Sequence, residues 1–183
     1  MTTKDPNITA AIDGEPVAAT LDPAADGYTL TMERQLDHPV DRVWAMLTDP
    51  AQLERWSPIV PDRALDSTGP ASSRENPDDE PVDVEVLEVS APTLLVHRWG
   101  PHRLTWRLTE EGDGTRLRLE HWFTERAEAP SFGAGWHVCF GGLTAALAHQ
   151  EVGRAVGPLA LDYGWEQLHT RYADLLGVPT HAG

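Results

Sequence analysis

The sequence predicts an α+β fold: a strand, two short helices, an antiparallel meander and a long helical C-terminal third. Three observations carry this. Residues 28–36 and most of 82–123 alternate apolar and polar with a period of two. Between these stretches, "HPVDRVWAMLTDPAQLERW" places apolar residues at helical spacing. From residue 133 onward the period returns to that of a helix.

The elements follow in order. Residues 1–27 are rich in Ala, Asp, Pro and Thr with little periodicity, and are expected to be a tail or at most a loose extra strand. In "YTLTMERQL", Tyr28, Leu30 and Met32 take one side and Thr29, Thr31 and Glu33 the other, the pattern of a half-buried strand. Pro39 suits a first helical turn, and Val40, Val43, Trp44 and Leu47 fall at i, i+3, i+4 and i+7. Asp49-Pro50 breaks that helix, and "AQLERWSP" forms a second one that ends before Pro58. Residues 66–81 have weak strand character, and connections that long are uncommon unless they serve a purpose or move.

"VDVEVLEV" (82–89) alternates valines with acids, and "TLLVHRWG" (93–100) is a more buried run. "HRLTWRLT" (102–109) puts Leu104, Trp106 and Leu108 on one face and Arg103, Thr105 and Arg107 on the other. After the glycine turn "EEGDGT", "TRLRLEHWF" points Leu117, Leu119, His121 and Phe123 inward. With the first strand this makes an antiparallel sheet of about six or seven strands, wet on one face. In "GAGWHVCFGGLTAALAHQE", Trp136, Phe140, Leu143 and Leu147 form a helical stripe that Cys139 and Ala146 widen. Residues 153–158 interrupt it. "LALDYGWEQLHTRYADLLG" then resumes through Leu161, Trp165, Leu168, Tyr172 and Leu176, with Gly177 as the C-cap.

Composition removes several function classes. The net charge of −15 argues against nucleic acid or an anionic membrane surface as partner. No apolar run reaches the ~20 residues of a spanning helix. The N-terminus lacks a basic region followed by an apolar one, so no secretory signal is expected. A single cysteine makes no internal disulfide and fits a reducing cytoplasm. Acidic residues gather at 75–88, which reads as a solvated loop running into a strand with one wet face. That segment lacks the spacing of a calcium loop.

The order of these segments resembles the bacterial members of the heat-shock-protein-90 ATPase activator homologue-like family, in the START-like (SRPBCC, helix-grip) superfamily. The residues that carry it are "VW…LTDP…L..W" early in the chain, "VLEVSAPTLLVHRWG" and "LTEEGDGTRLRLEHWF" in the meander, and the blocks "GWHVCFGGLTAAL" and "GWEQLHTRYADLLG". The similarity spans residues 28–177, read as one START-like domain, with 1–27 as an N-terminal tail with room for partial order and 178–183 as a C-terminal tail. Many relatives have a Gly-Gly turn and a regular strand where this chain has "ALDSTGPASSRENPDDEP". The resemblance implies a strongly curved antiparallel sheet gripping a long C-terminal helix, with an apolar cavity between them that takes a small hydrophobic ligand. It also implies a co-chaperone relative with an extra N-terminal domain, for which this chain is too short.

Candidate ligand-binding residues follow by phase: Trp99, Leu104, Trp106, Leu119, His121 and Phe123 from the sheet, and Trp136, His137, Phe140 and Leu143 from the helix. Phase alone does not separate lining a cavity from filling a core. Gly141 and Gly142 each cost roughly 1 kcal/mol against Ala in mid-helix, so close packing or a kink is wanted there. His121 points inward, either as a hydrogen-bonded core histidine or as a polar anchor for a ligand. Trp122 has the opposite phase and covers the outer surface or a partner. Arg98 could serve as an anchor if its strand turns that face inward. No CxxC, HxxxH or HExxH pattern is present, so neither a metal nor another cofactor is expected. Cys139 on an apolar helix face reads as an inert thiol. The primary expectation is non-enzymatic binding of a small hydrophobe. The alternatives are a protein-interaction module using 75–88 and Trp122, and an enzyme using His121 or His137 as acid–base; a protein partner or a homodimer is compatible with the sequence.

Overall fold

The computed structural model describes residues 4–149 and 151–180. The chain opens with a helix, α1 (Pro6–Gly14), followed by β1 (Thr20–Ala24) and β2 (Gly27–Leu36). Two short helices come next, α2 (Val40–Thr48) and α3 (Pro50–Leu53). A small ribbon of β3 (Ser72–Ser73) and β4 (Val82–Asp83) precedes the meander β5 (Val86–Ser90), β6 (Leu94–Trp99), β7 (His102–Glu111) and β8 (Gly114–Phe123). The last third holds α4 (Ala129–Ala148), a 3₁₀ turn (Gly157–Tyr163) and α5 (Trp165–Leu176).

Six strands form one antiparallel sheet in the order β1-β2-β8-β7-β6-β5. The concave face of this curved sheet holds α4. Alternation sets which side chains face it. Leu104, Trp106 and Leu108 on β7 and Leu117, Leu119, His121 and Phe123 on β8 are buried, as the sequence predicts. The opposite face carries a ladder of Arg and Glu, with Arg107 on Glu120 and Arg116 bridging Glu33 and Glu111. Those pairs are exposed and screened, so they keep the outer face soluble more than they hold it together.

α4 is buried nearly all round, because a third layer covers its back. Gly133 lets the Tyr172 ring of α5 lie on the helix, and Gly141 does the same for Ile12 of α1. A Cβ at Gly141 would stand 2.5 Å from Ile12 Cγ1, whereas one at Gly142 would meet Trp56 at an ordinary 3.6 Å. The two glycines therefore differ: only Gly141 is forced by close approach. Arginines close the helix ends: Arg42 donates to Leu147 O, Arg55 to Ala146 O, and Arg126 to Leu176 O and Gly177 O. Gly177 ends α5 in the left-handed conformation, as expected of a C-cap.

Four expectations change. Residues 5–24 are not merely a tail or a loose strand. Asp5 caps α1 through the Asn7 N–H, Ile8 and Ile12 are buried, and β1 pairs with β2 as an extra edge strand. The two short helices thus follow the second strand of the sheet. Residues 82–89 are not one strand: the register shifts between Val86 and Glu88, and β4 pairs with β3 instead of joining the sheet. Leu161 does not extend the α5 stripe; it lies in the 3₁₀ turn and is 55% exposed. Of the proposed C-terminal tail, Val178 is buried, while residues 181–183 lie outside the described residues, as do residues 1–3 of the N-terminal one.

Candidate ligand-binding site

The space between sheet and α4 is filled. Leu104, Trp106, Leu119, His121, Phe123, Trp136, His137, Phe140 and Leu143 are each at most 2% accessible. Little accessible surface is left to any of them, and of the nine only Trp136 also borders an open space. Aromatic rings occupy the middle. Trp106 meets Trp56 edge-on at 6.1 Å and Trp136 edge-on at 5.4 Å, and Phe140 stacks on Trp136 at 5.9 Å. Such offset and T-shaped pairs are the favoured geometries for filling a core with indoles.

Three buried histidines bracket this core, and their partners assign their tautomers. Trp106 Nε1 donates to His97 Nε2 at 3.0 Å, so the His97 proton sits on Nδ1 and is given to Arg98 O at 2.7 Å. Trp136 Nε1 donates to His121 Nδ1 at 3.0 Å, so His121 Nε2–H is given to His102 Nδ1 at 2.9 Å. His137 Nε2–H is given to Ile12 O at 3.1 Å, leaving Nδ1 to accept from the Tyr172 hydroxyl at 2.9 Å. Burial pushes His97 down to about 4 and holds His121 well below the usual imidazole range, where neighbouring His102 adds to the effect. His137 and His102 are lowered chiefly by burial as well. All three buried rings are neutral hydrogen-bond bridges. Both ring nitrogens of His121 are occupied, which leaves neither to meet a substrate. Arg34 is the unexpected polar group of the core: it turns inward on β2 over the Phe140 ring, with Glu15 at 3.8 Å.

The open space lies beside α4, where the third layer stops. A cleft of about 280 Å³ runs between the end of β6, the first half of α4 and the 155–165 segment. Its aromatic walls are Trp99, Phe132, Trp136 and Trp165, and its floor is made of small residues, among them Ser131, Gly135, Cys139 and Ala160. Trp99 and Trp136 meet at 5.6 Å. Two features keep the space open. Gly135 offers no side chain to Trp165, whose Nε1 would stand 4.0 Å from a Cβ there. Gly157, at φ +57, lets the segment turn without filling it. Cys139 is buried against this floor, and burial pushes its thiol up to about 12, so it presents a neutral, unreactive surface. Larger hollows of about 400 to 510 Å³ lie near Arg42 and Arg55, near Arg74 and Glu75, near Asp13 and Arg171, and near Glu33 and Arg118, and charged groups line each of them.

Of the ten candidate residues, the structure brings Trp99 and Trp136 into the cleft wall and sets the other eight in the packed layers behind it. Phe132, Trp165 and Glu75 complete the wall and were not among the candidates. A signal for part of this existed: "SFGAGWHVC" places Ser131, Gly135 and Cys139 four apart, a helix face of small residues beside the aromatic stripe. Arg98 faces outward and pairs with Glu85 at 3.3 Å. Trp122 lies on the outer face, as its phase predicts, where Arg103 covers its ring and its indole donates to Ala25 O. Among the described residues no group of three metal-ligating side chains converges, and no helix is long and apolar enough to cross a membrane.

Comparison with known proteins places the fold. The sequence profile described as "Activator of Hsp90 ATPase homolog 1-like protein" matches residues 37–148. CalU16 from Micromonospora echinospora is 25% identical with a TM-score of 0.66, over 86% of this chain and 95% of that one. EF2215 from Enterococcus faecalis, a conserved protein of unknown function, is 16% identical with a TM-score of 0.74, over 95% of this chain and 99% of that one. DynU16, a putative protein in the dynemicin biosynthetic locus, is 24% identical with a TM-score of 0.60, over 67% of this chain and 48% of that one. The architecture they share is the START-like helix grip. No curated protein gives a significant match.

Proposed function

We propose that this chain, which belongs to the activator of Hsp90 ATPase homolog 1-like family, binds a small planar hydrophobic molecule in the cleft beside α4. The observation that carries the reading is an open space of about 280 Å³ walled by four aromatic side chains, in a molecule whose interior is otherwise packed. That volume is near the lower end for small-molecule sites, so the ligand is compact. Indole faces give wide contact at low conformational cost, and removing ligand and wall from water supplies about 25 cal/mol per Å² of apolar area before association costs. Backing by the Trp136–His121–His102 chain holds the wall rigid, so little ordering is needed on binding. The cleft holds neither a nucleophile of lowered pKa nor a converging acid–base pair, so binding without turnover is the reading its chemistry supports.

A thermal-shift screen with compact bicyclic aromatics tests this. A ligand at a hundred times its Kd stabilises by about 2.7 kcal/mol, a shift of several degrees. Gly135→Leu fills the floor and relieves a helical glycine. It should fold at least as well as the parent and lose the shift. No shift with any compound in the parent, or an equal shift in Gly135→Leu, overturns the proposal.

A further inference from the structure

The aromatic cleft carries one carboxylate that the fold leaves without a partner. Glu75 borders the cleft, and its Oε1 lies so close over Gly157 that a Cβ there would stand 2.6 Å away. The side chain is half-buried, yet among the described residues it has no hydrogen bond or ion pair. Arg154 acts on the Glu75 carboxyl through charge alone, because among the described residues its hydrogen bonds go to backbone carbonyls, Nη1 to Glu75 O and Nη2 to Ser57 O. On the outer face of the sheet several charges are paired, as Arg98 is with Glu85 and Arg107 with Glu120.

A half-buried carboxylate that receives no hydrogen bond from the protein can take one from a ligand in the cleft. The surroundings select its charge. The faces of Trp99, Trp136 and Trp165 present the negative side of their quadrupoles, which attracts a cation just as the carboxylate does. The net charge of −15 draws cations toward the chain and repels anions. Cys139, the other titratable group in the lining, stays neutral. We infer that the cleft selects a hydrophobic amine: a compact aromatic molecule whose protonated ammonium sits on the Glu75 carboxylate while its ring lies among the tryptophans. This inference rests on the cleft being the binding site, and adds the ligand's charge.

Burial raises the Glu75 carboxyl above its usual range, Arg154 opposes that rise and Asp79 adds to it. Acidification therefore removes the negative charge earlier than at an exposed glutamate.

The test uses two probes of nearly equal shape, 1-naphthylmethylamine and 1-naphthylmethanol, titrated into the full chain by calorimetry. The amine should bind about tenfold or more tighter than the alcohol, the strength of a charge-assisted hydrogen bond. Glu75→Gln should abolish that preference and leave alcohol affinity within about twofold. In the unmodified chain, amine affinity should fall on acidification while alcohol affinity holds, because the ammonium, like a lysine, stays protonated throughout. This second measurement does not depend on the variant folding. Equal binding of the two probes, or a preference that survives Glu75→Gln, overturns the amine inference and leaves the hydrophobic cleft intact. Binding of neither probe overturns the amine inference, and the thermal-shift screen then decides the cleft itself.

Discussion

The two sides of α4 are built from the same residue types and come to opposite ends. Toward the sheet, Trp106, Trp136 and Phe140 interlock with Trp56, and no space remains. Toward the 155–165 segment, Trp99, Phe132 and Trp165 face small residues, and a cleft stays open. The difference lies in what stands opposite. Large rings against large rings fill a layer, whereas large rings against Ser131, Gly135 and Ala160 leave a volume. A count of tryptophans therefore does not locate a binding site, while the pairing of aromatics with small residues does.

Substitutions sharpen that contrast, and the largest effect belongs on the packed side. Trp106→Ala removes three edge-on contacts, with Trp56, Trp136 and Phe140, and strips His97 of its donor. It should cost about 3–5 kcal/mol, read as a fall in the urea midpoint. Trp165→Ala on the open side should cost far less in the same measurement and should remove ligand-induced stabilisation. Equal losses at the two positions would erase the distinction.

The packed side also predicts a pH response. His97 is neutral in the fold and free to protonate once unfolded, so the unfolded chain takes up more protons as pH falls. Its contribution is complete above the ordinary imidazole range and is lost from about 6.5 toward about 4. At pH 5 this group alone should destabilise by about 2 kcal/mol relative to pH 8, with His121 and His137 shifting the same way. Thermal midpoints from pH 8 to 5 in His97→Gln should show a shallower decline than in the parent. An identical slope would show that His97 is not held neutral.

The two adjacent glycines make a finer comparison. Gly141→Ala drives a Cβ into Ile12 and should cost about 1–3 kcal/mol as α1 is displaced. Gly142→Ala meets only ordinary contact and should gain about 0.5–1 kcal/mol from helix propensity. The same sign for both would mean that α1 does not rest where it is placed. At the small end, Arg107→Ala in the outer ladder should leave the thermal midpoint unchanged, because its pair with Glu120 is exposed and screened.

Much of this fold is legible because local pattern and burial coincide. Residues 102–109 and 115–123 alternate cleanly, Pro39 and Asp49-Pro50 bracket α2, and Gly177 marks the end of α5. The α1 helix is harder to see, since only Ile8 and Ile12 form its buried stripe amid alanines and threonine. The capping residue Asp5, followed by Pro6, was its one local signal. Gly141 held the complementary clue, a close approach with no visible partner. The break at Val86 is invisible to alternation, because a bulge shifts phase without changing composition. The cleft is less legible still. Glu75, Trp99, Phe132 and Trp165 come from four separated segments, and only the curvature of the sheet and the turn at Gly157 bring them together.

The seven tryptophans supply the most direct test, since each indole N–H gives its own proton–nitrogen signal. On titration with 1-naphthylmethylamine, the signals of Trp99, Trp136 and Trp165 should move while those of Trp56 and Trp106 stay in place. Movement of Trp56 and Trp106 with Trp99 and Trp165 unperturbed would place the ligand between sheet and helix and contradict the account.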